Sequence, residues 1–230
     1  MDSSLKFWNR NAPRYARRPI ANQEAYRKKL AVTQEYLRPN MSVMEFGCGT
    51  GSTALIHAPL VGSYLATDAS SRMIDIAREK LASTPMANLH FRVATLDDLS
   101  DQHHQFDAVL GLNILHLLRD PSSAVSQVFE LLKPGGIFVS NTVCLKDTRP
   151  YLKPIAAIAN IVRLAPFVKF LSRQELENIL YSAGFCIRYR WVPDKSEDVY
   201  FLIATKPAED DIQMPRYGNN ATSHQNTALS

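Results

Sequence analysis

Three glycines fall within five residues in EFGCGTGS (residues 45–52), behind a short apolar run, SVMEF, and ahead of a stretch able to coil into a helix. A strand, a glycine turn and a helix in that order take the backbone through a sharp reversal. Residues without a β-carbon permit that turn and a close approach to a ligand, while the N–H groups opening the helix near Ser52 can face an electron-rich group. The spacing is G-x-G-x-G, not the G-x-G-x-x-G that seats a dinucleotide pyrophosphate, and no G-K-[ST] follows for a triphosphate. Seventeen residues after Gly51, the run SYLATD ends in Asp68. A carboxylate at the C-terminal end of a strand can accept both hydroxyls of a ribose, so the pattern favours an unphosphorylated nucleoside.

Around this loop, runs of strand length alternate with helix-like stretches. SVMEF, SYLATD, LHFRVA, FDAVLGL and GIFVSNTV read as buried strands. SRMIDIAREKLAS sets Met73, Ile76, Ala77 and Leu81 at helical spacing, and DPSSAVSQVFELL opens on Asp120 as N-cap with Pro121 first in the helix, before KPGG stops it. Such alternation predicts a parallel sheet with right-handed crossovers and helices on both faces. Further on, SRQELENILYSAGF carries a capping-box pattern, Ser172 with Glu175, and stops at Gly184; CIRYRWV and DVYFLIATK, separated by PDKSE, predict an antiparallel hairpin at the sheet edge.

At 230 residues, with 46% hydrophobic and 21% charged residues, one α/β core with extensions is expected, and no run of about 18 uncharged apolar residues occurs. No signal-like h-region opens the chain, so a cytoplasmic protein is expected. Cys48, Cys144 and Cys186 are scattered, which argues against disulfides and zinc and predicts free thiols; His57 and His90 lack a metal-like partner spacing, and no metal is expected. Residues 1–40 carry nine Lys/Arg against three Asp/Glu, leaving the remainder slightly acidic. A basic arm of this kind suits an anionic ligand or simply a solvated helix face. From about Ala208 the chain is polar and aperiodic and is expected to be disordered over 208–230.

Taken together, VMEFGCGTGS, ATDASSRMIDIAR, FDAVLGLNILHLL and LLKPGGIFV resemble the successive motifs of the class I S-adenosylmethionine-dependent methyltransferases, over roughly residues 41–140. The resemblance implies a Rossmann-like, mostly parallel seven-stranded sheet with an antiparallel last strand, helices on both faces, and S-adenosylmethionine across the carboxyl ends of the first strands, leaving S-adenosylhomocysteine as product. It implies a domain at 39–207, preceded by an N-terminal helical lid at 1–38 and interrupted by an apolar insertion at 144–171. Carried over residue by residue, Glu45 takes the acidic position before the loop, and Gly47, Cys48, Gly49 and Gly51 form the seat for the methionine part. Asp68 would hold the ribose hydroxyls, with Ala69 and Met73 lining the adenine. Relatives often place an acid after the third strand to accept the adenine amino group. Here the stretch is VATLDDL, so Thr95 and Leu96 are assigned to the adenine, with Asp97 and Asp98 expected to fall short.

Methyl transfer from a sulfonium depends mainly on positioning, so a conspicuous catalytic residue is not required. The resemblance puts Asn113 and His116 of GLNILHLL beside the methyl and amino-acid end; His116 is the candidate general base, or else a packed structural histidine. In the basic arm, Phe7, Trp8 and Tyr15 interleave with arginines, and Tyr15 is the expected lid contact near the methionine end, with Arg18 or Lys29 as carboxylate partners. The insertion is too apolar for a solvated loop: Ile155, Ile158, Ile161, Val162, Leu164, Phe167, Val168, Phe170 and Leu171 either roof a hydrophobic substrate pocket or, with Lys153, Arg163 and Lys169, rest on a membrane surface or partner subunit. The reading is methyl transfer to a small, partly apolar acceptor: a lipid amine, a quinone-like ring or a secondary metabolite. A nucleic-acid methyltransferase is disfavoured by the modest net charge and the lack of a base-flipping motif. A non-catalytic S-adenosylmethionine-binding protein stays open, as do peripheral membrane contact and oligomeric state.

Overall fold

The computed structural model describes residues 3–162, 164–194 and 197–208. The expected disordered tail therefore lies, save for Ala208, outside the described residues, as does Arg163. Seven strands form one sheet: β1 Ser42–Phe46, β2 Ser63–Asp68, β3 Leu89–Val93, β4 Phe106–Leu112, β5 Leu132–Val143, β6 Cys186–Trp191 and β7 Val199–Thr205, in the order β3-β2-β1-β4-β5-β7-β6. The first five pair in parallel; β7 runs antiparallel between β5 and β6, which closes the edge of the sheet as the predicted hairpin. The helices are α1 Ser3–Ala16, α2 Gln23–Gln34, α3 Ser52–His57, α4 Ser71–Ser83, α5 Pro121–Leu131, α6 Leu145–Thr148, α7 Lys153–Ile161 and α8 Arg173–Ser182.

The central strands are mostly apolar because both faces are covered, and successive side chains enter opposite layers. Met44 and Val109 pack with Val125, Val128, Leu176 and Leu180 beneath α5 and α8. Val43, Ala108 and Leu110 pack with Ala54, Ile74 and Ala77 of α3 and α4. Sequence-encoded caps fix the helix starts: Asp120 accepts from Ser123 N at 3.0 Å, Ser70 from Met73 N at 3.2 Å, and the Ser172/Glu175 capping box is complete in both directions. α5 ends at Leu131, just before KPGG, as expected. The following strand begins at Leu132 instead of Gly136, however, with an irregular register between Phe106 and Ala108 of β4. The Lys206 ammonium, at the end of β7, donates to the carbonyls of Phe129 and Leu132 at 2.7 and 3.0 Å and fastens this corner.

Because β1 pairs with β2 on one side and β4 on the other, chain progression reverses between β1 and β4, the place where open α/β sheets bind ligands. α1 crosses near this point. Asn9 Oδ1 accepts from Ser70 Oγ at 2.7 Å and Arg72 N at 3.3 Å, docking the N-terminal arm on the start of α4. The insertion is different from its expected roof. Tyr151, Ile155, Ile158, Ile161, Val162 and Leu164 are exposed, while both ends of the segment are held to the body: Arg149 pairs with Asp198 at 3.1 Å, Lys169 N donates to His116 O at 2.7 Å and Phe167 N to Ser4 Oγ at 3.3 Å. No helix among the described residues is long and apolar enough to cross a membrane.

The sheet leaves no room for larger side chains at one site behind the crevice. A β-carbon at Gly111 would lie 2.5 Å from the ring of Phe46. Gly111→Ala is expected to destabilise the protein by about 1–3 kcal/mol through overpacking, read as a lower urea midpoint with an unchanged slope.

Candidate active site

A cavity of about 500 Å³ opens at the carboxyl ends of β1, β2 and β4, a size in the range of small-molecule sites. The loop after β1 forms its floor. Gly47, Gly49 and Gly51 all take positive φ, at 64°, 55° and 73°, which β-carbon-bearing residues rarely adopt. Gly47 also permits close approach, since a β-carbon there would sit 2.6 Å from Ile114 Cγ1 in the loop after β4. At Gly49 the nearest atom to such a carbon would be Tyr15 Cε1 at 3.6 Å, an ordinary van der Waals contact, so the loop lies against the Tyr15 ring. Gly51 faces away, toward Phe91 and Ala77.

Asp68 joins the loops. Its Oδ2 accepts from Gly49 N at 2.9 Å and its Oδ1 from Ser70 N at 2.8 Å. Burial pushes its carboxyl above the ordinary range, while these two backbone donors oppose the shift. Each carboxylate oxygen keeps lone-pair capacity for a further donor. Burial likewise raises the Tyr15 phenol, with the Asp68 charge adding to it.

Of the residues expected at the cofactor, Tyr15, Gly47, Gly49, Asp68, Ala69, Met73, Thr95, Leu96 and Asn113 line this one cavity. Glu45, Cys48 and Gly51 do not. Glu45 is buried behind the loop, where Tyr64 Oη donates to its Oε2 at 2.8 Å, and burial pushes its carboxyl up to about 8. Cys48 holds the turn, its N–H donating to Thr67 O at 2.9 Å. His116 is also set back: it is buried, its Nδ1 accepts from Val143 N at 3.4 Å, and burial lowers its pKa to about 4. That environment holds a neutral packing histidine, and the chemistry proposed below does not use it. Thr95 spends its N–H and hydroxyl on Asp98 Oδ2, both at 2.8 Å, whereas Asp97, expected to fall short, lines the cavity and accepts from Gln127 Nε2 at 3.0 Å. Sequence reading quoted Leu117 and Leu118 in the motif after β4 but assigned neither of them, nor Arg119, to the wall they form.

α1 supplies Ser4, Leu5, Trp8 and Tyr15 to the wall. Trp8 meets Tyr15 edge to face, with ring centroids 5.9 Å apart, so one aromatic braces the other. The donor set fits an adenosine with an amino-acid arm: a two-lone-pair carboxylate for a diol, small residues where a β-carbon would intrude, and apolar Ala69, Met73 and Leu96 for a flat ring.

Known proteins share parts of this sequence and fold. A family profile described as "Methyltransferase domain" matches residues 44–138. The chain is 28% identical over 149 residues to a ubiquinone biosynthesis O-methyltransferase of Cereibacter sphaeroides, covering 63% of this chain and 60% of that protein. It is 29% identical over 125 residues to a demethylmenaquinone methyltransferase of Symbiobacterium thermophilum, covering 52% of this chain and 48% of that one. The chain thus spans about half to 60% of the length of these curated relatives. Its fold matches the geranyl diphosphate C-methyltransferase of Streptomyces coelicolor, solved with S-adenosyl-L-homocysteine, with a TM-score of 0.66, 13% identity and 79% coverage of each chain.

The buried Glu45 gives a pH test. Its folded pKa of about 8 lies above the unfolded value near 4.5, so its contribution is fully present below about pH 4.5 and is lost as pH rises toward 8. In thermal melts of the ligand-free protein, Glu45→Gln is expected to gain on wild type steadily from pH 5 to pH 8.

Proposed function

We propose that this chain, a member of the class I S-adenosylmethionine-dependent methyltransferases, methylates a small, partly apolar acceptor. What carries the reading is the composition of a single cavity: the residues suited to a nucleoside share it with an apolar wall of Leu5, Trp8, Ile114, Leu117 and Leu118. Two quinone-pathway methyltransferases among the relatives favour an acceptor with a ring of that kind.

In this reading S-adenosylmethionine, when bound, supplies an electrophilic methyl group on a sulfonium. Asp68 accepts the ribose hydroxyls while keeping Gly49 and Ser70 in place, so the carboxylate orients ligand and loop together. Gly47 and Gly49 let the backbone approach the amino-acid arm, and Ala69, Met73 and Leu96 hold the adenine, with Asp97 available to its amino group. Trp8 and Tyr15 cover the arm and exclude water. The wall of Leu117 and Leu118 orients the acceptor for in-line attack. Such positioning can lower a barrier by about 7–11 kcal/mol without a protein base. We further propose the division at 1–38 and 39–207 as lid and catalytic domain.

Asp68→Ala removes a charged acceptor from a partly buried site, and such hydrogen bonds contribute about 1.5–3 kcal/mol. Calorimetric titration with S-adenosylhomocysteine is expected to show roughly a 10- to 150-fold loss of affinity. Wild-type affinity in the variant would remove Asp68 from the site. Release of S-adenosylhomocysteine in a screen of hydroxylated quinone-like rings tests the acceptor class.

A further inference from the structure

None of the nine residues of α7 is buried. Its sequence, KPIAAIANI, holds three isoleucines, and Ile158 and Ile161 are 62% and 77% exposed, with Tyr151 and Val162 extending the patch at either end. Apolar residues exposed singly are ordinary on a protein surface, whereas a contiguous patch of them marks a contact. Ile155, Ile158 and Val162 are three and four residues apart, so they share one face of the helix. Because both flanks of the segment are tied to the body, by Arg149 to Asp198 and by Lys169 N to His116 O, this face is presented on an anchored loop.

The charge around it is of one sign. From 148 to 174 the chain has five Lys/Arg and no Asp/Glu. Asp198 meets Arg149 and Asp147 meets Arg173, while Lys153 in the first turn of α7 and Lys169 beyond it form no ion pair among the described residues. A second copy docked through a two-fold contact would set these lysines against their own counterparts, with no acid in the segment to meet them. A layer of anionic headgroups meets them all, and its acyl boundary takes the isoleucines. Nine residues rise about 14 Å, too short to cross a bilayer and long enough to lie in its interface.

We propose that the face carried by α7, from Tyr151 to Leu164, docks on an anionic lipid bilayer. The face adjoins the main cavity through Phe167, whose N–H donates to Ser4 Oγ at 3.3 Å and whose ring lies 5.0 Å from the Arg119 guanidinium; Ser4 and Arg119 both line the cavity. Docking would therefore hold the cavity rim near the lipid, where a partly apolar acceptor partitions. That consequence alone rests on the methyl-transfer reading; the docking does not.

Flotation of the full chain with phosphatidylcholine vesicles, with and without phosphatidylglycerol, tests the docking without any assay of turnover. Wild type is expected to float with the anionic vesicles, to stay behind with the neutral ones, and to weaken as salt is raised. Ile158→Ser/Ile161→Ser is expected to cut the partition coefficient at least about 10-fold at unchanged melting temperature, and Lys153→Glu/Lys169→Glu to do the same on anionic vesicles. The isoleucine pair separates docking by α7 from attraction of the basic N-terminal arm, which keeps its charge in that variant. A wild type that stays behind with anionic vesicles, or an isoleucine variant that floats as wild type does, overturns the proposal. A concentration-dependent dimer that the isoleucine substitutions abolish, without flotation of wild type, would overturn it in favour of a second copy. Flotation lost in these variants together with no binding of S-adenosylhomocysteine by wild type would count against the cofactor reading and leave the docking face assigned.

Discussion

The Asp68 carboxylate is the tie on which the site depends. By accepting the N–H groups of Gly49 and Ser70 it couples the loop after β1 to the start of α4, and through Ser70 and Asn9 it is coupled in turn to α1. One residue therefore ties the glycine turn to the start of α4 and to α1, and in the proposed function it would also hold the nucleoside. It can do so because a carboxylate accepts several hydrogen bonds at once, and because β1 and β2 lie side by side in register, from Ser42 against Ser63 to Phe46 against Thr67.

Much of this was legible in the sequence because it rests on local signals. Apolar runs marked β1 to β4 to within a residue of their observed ends, and Asp120, Pro121, Ser172 and Glu175 marked their helices by cap chemistry that needs no tertiary context. The start of β5 was not legible, because KPGG signals a break in any chain and only the β4 partner draws it into the ladder. Asp97 and Asp98 are adjacent and chemically identical, and which one meets the cavity follows from Thr95 engaging Asp98. Lys29 and Asn141 are 112 residues apart, a pairing no motif encodes.

His116 and the insertion show the limit of residue type as a guide. A histidine after β4 has the same letter whether it faces a ligand or a strand, and here Val143 N and burial decide for the strand. The apolar stripe of α7 is equally compatible with a roof and with an outward face; in the structure Ile155, Ile158 and Ile161 point outward, while Phe167, beneath the Arg119 guanidinium at 5.0 Å, links the segment to the cavity rim. Acceptor choice on a shared fold is governed by such additions, not by the sheet.

The central claim is that one cavity at the β1/β4 crossover holds the nucleoside and the acceptor together. A crystal structure of the protein grown with S-adenosylhomocysteine tests it most directly. The account predicts ribose hydroxyls on Asp68, adenine between Met73 and Leu96, and the sulfur facing Leu117 and Leu118. Density for the ligand elsewhere, or a ribose without contact to Asp68, would contradict it.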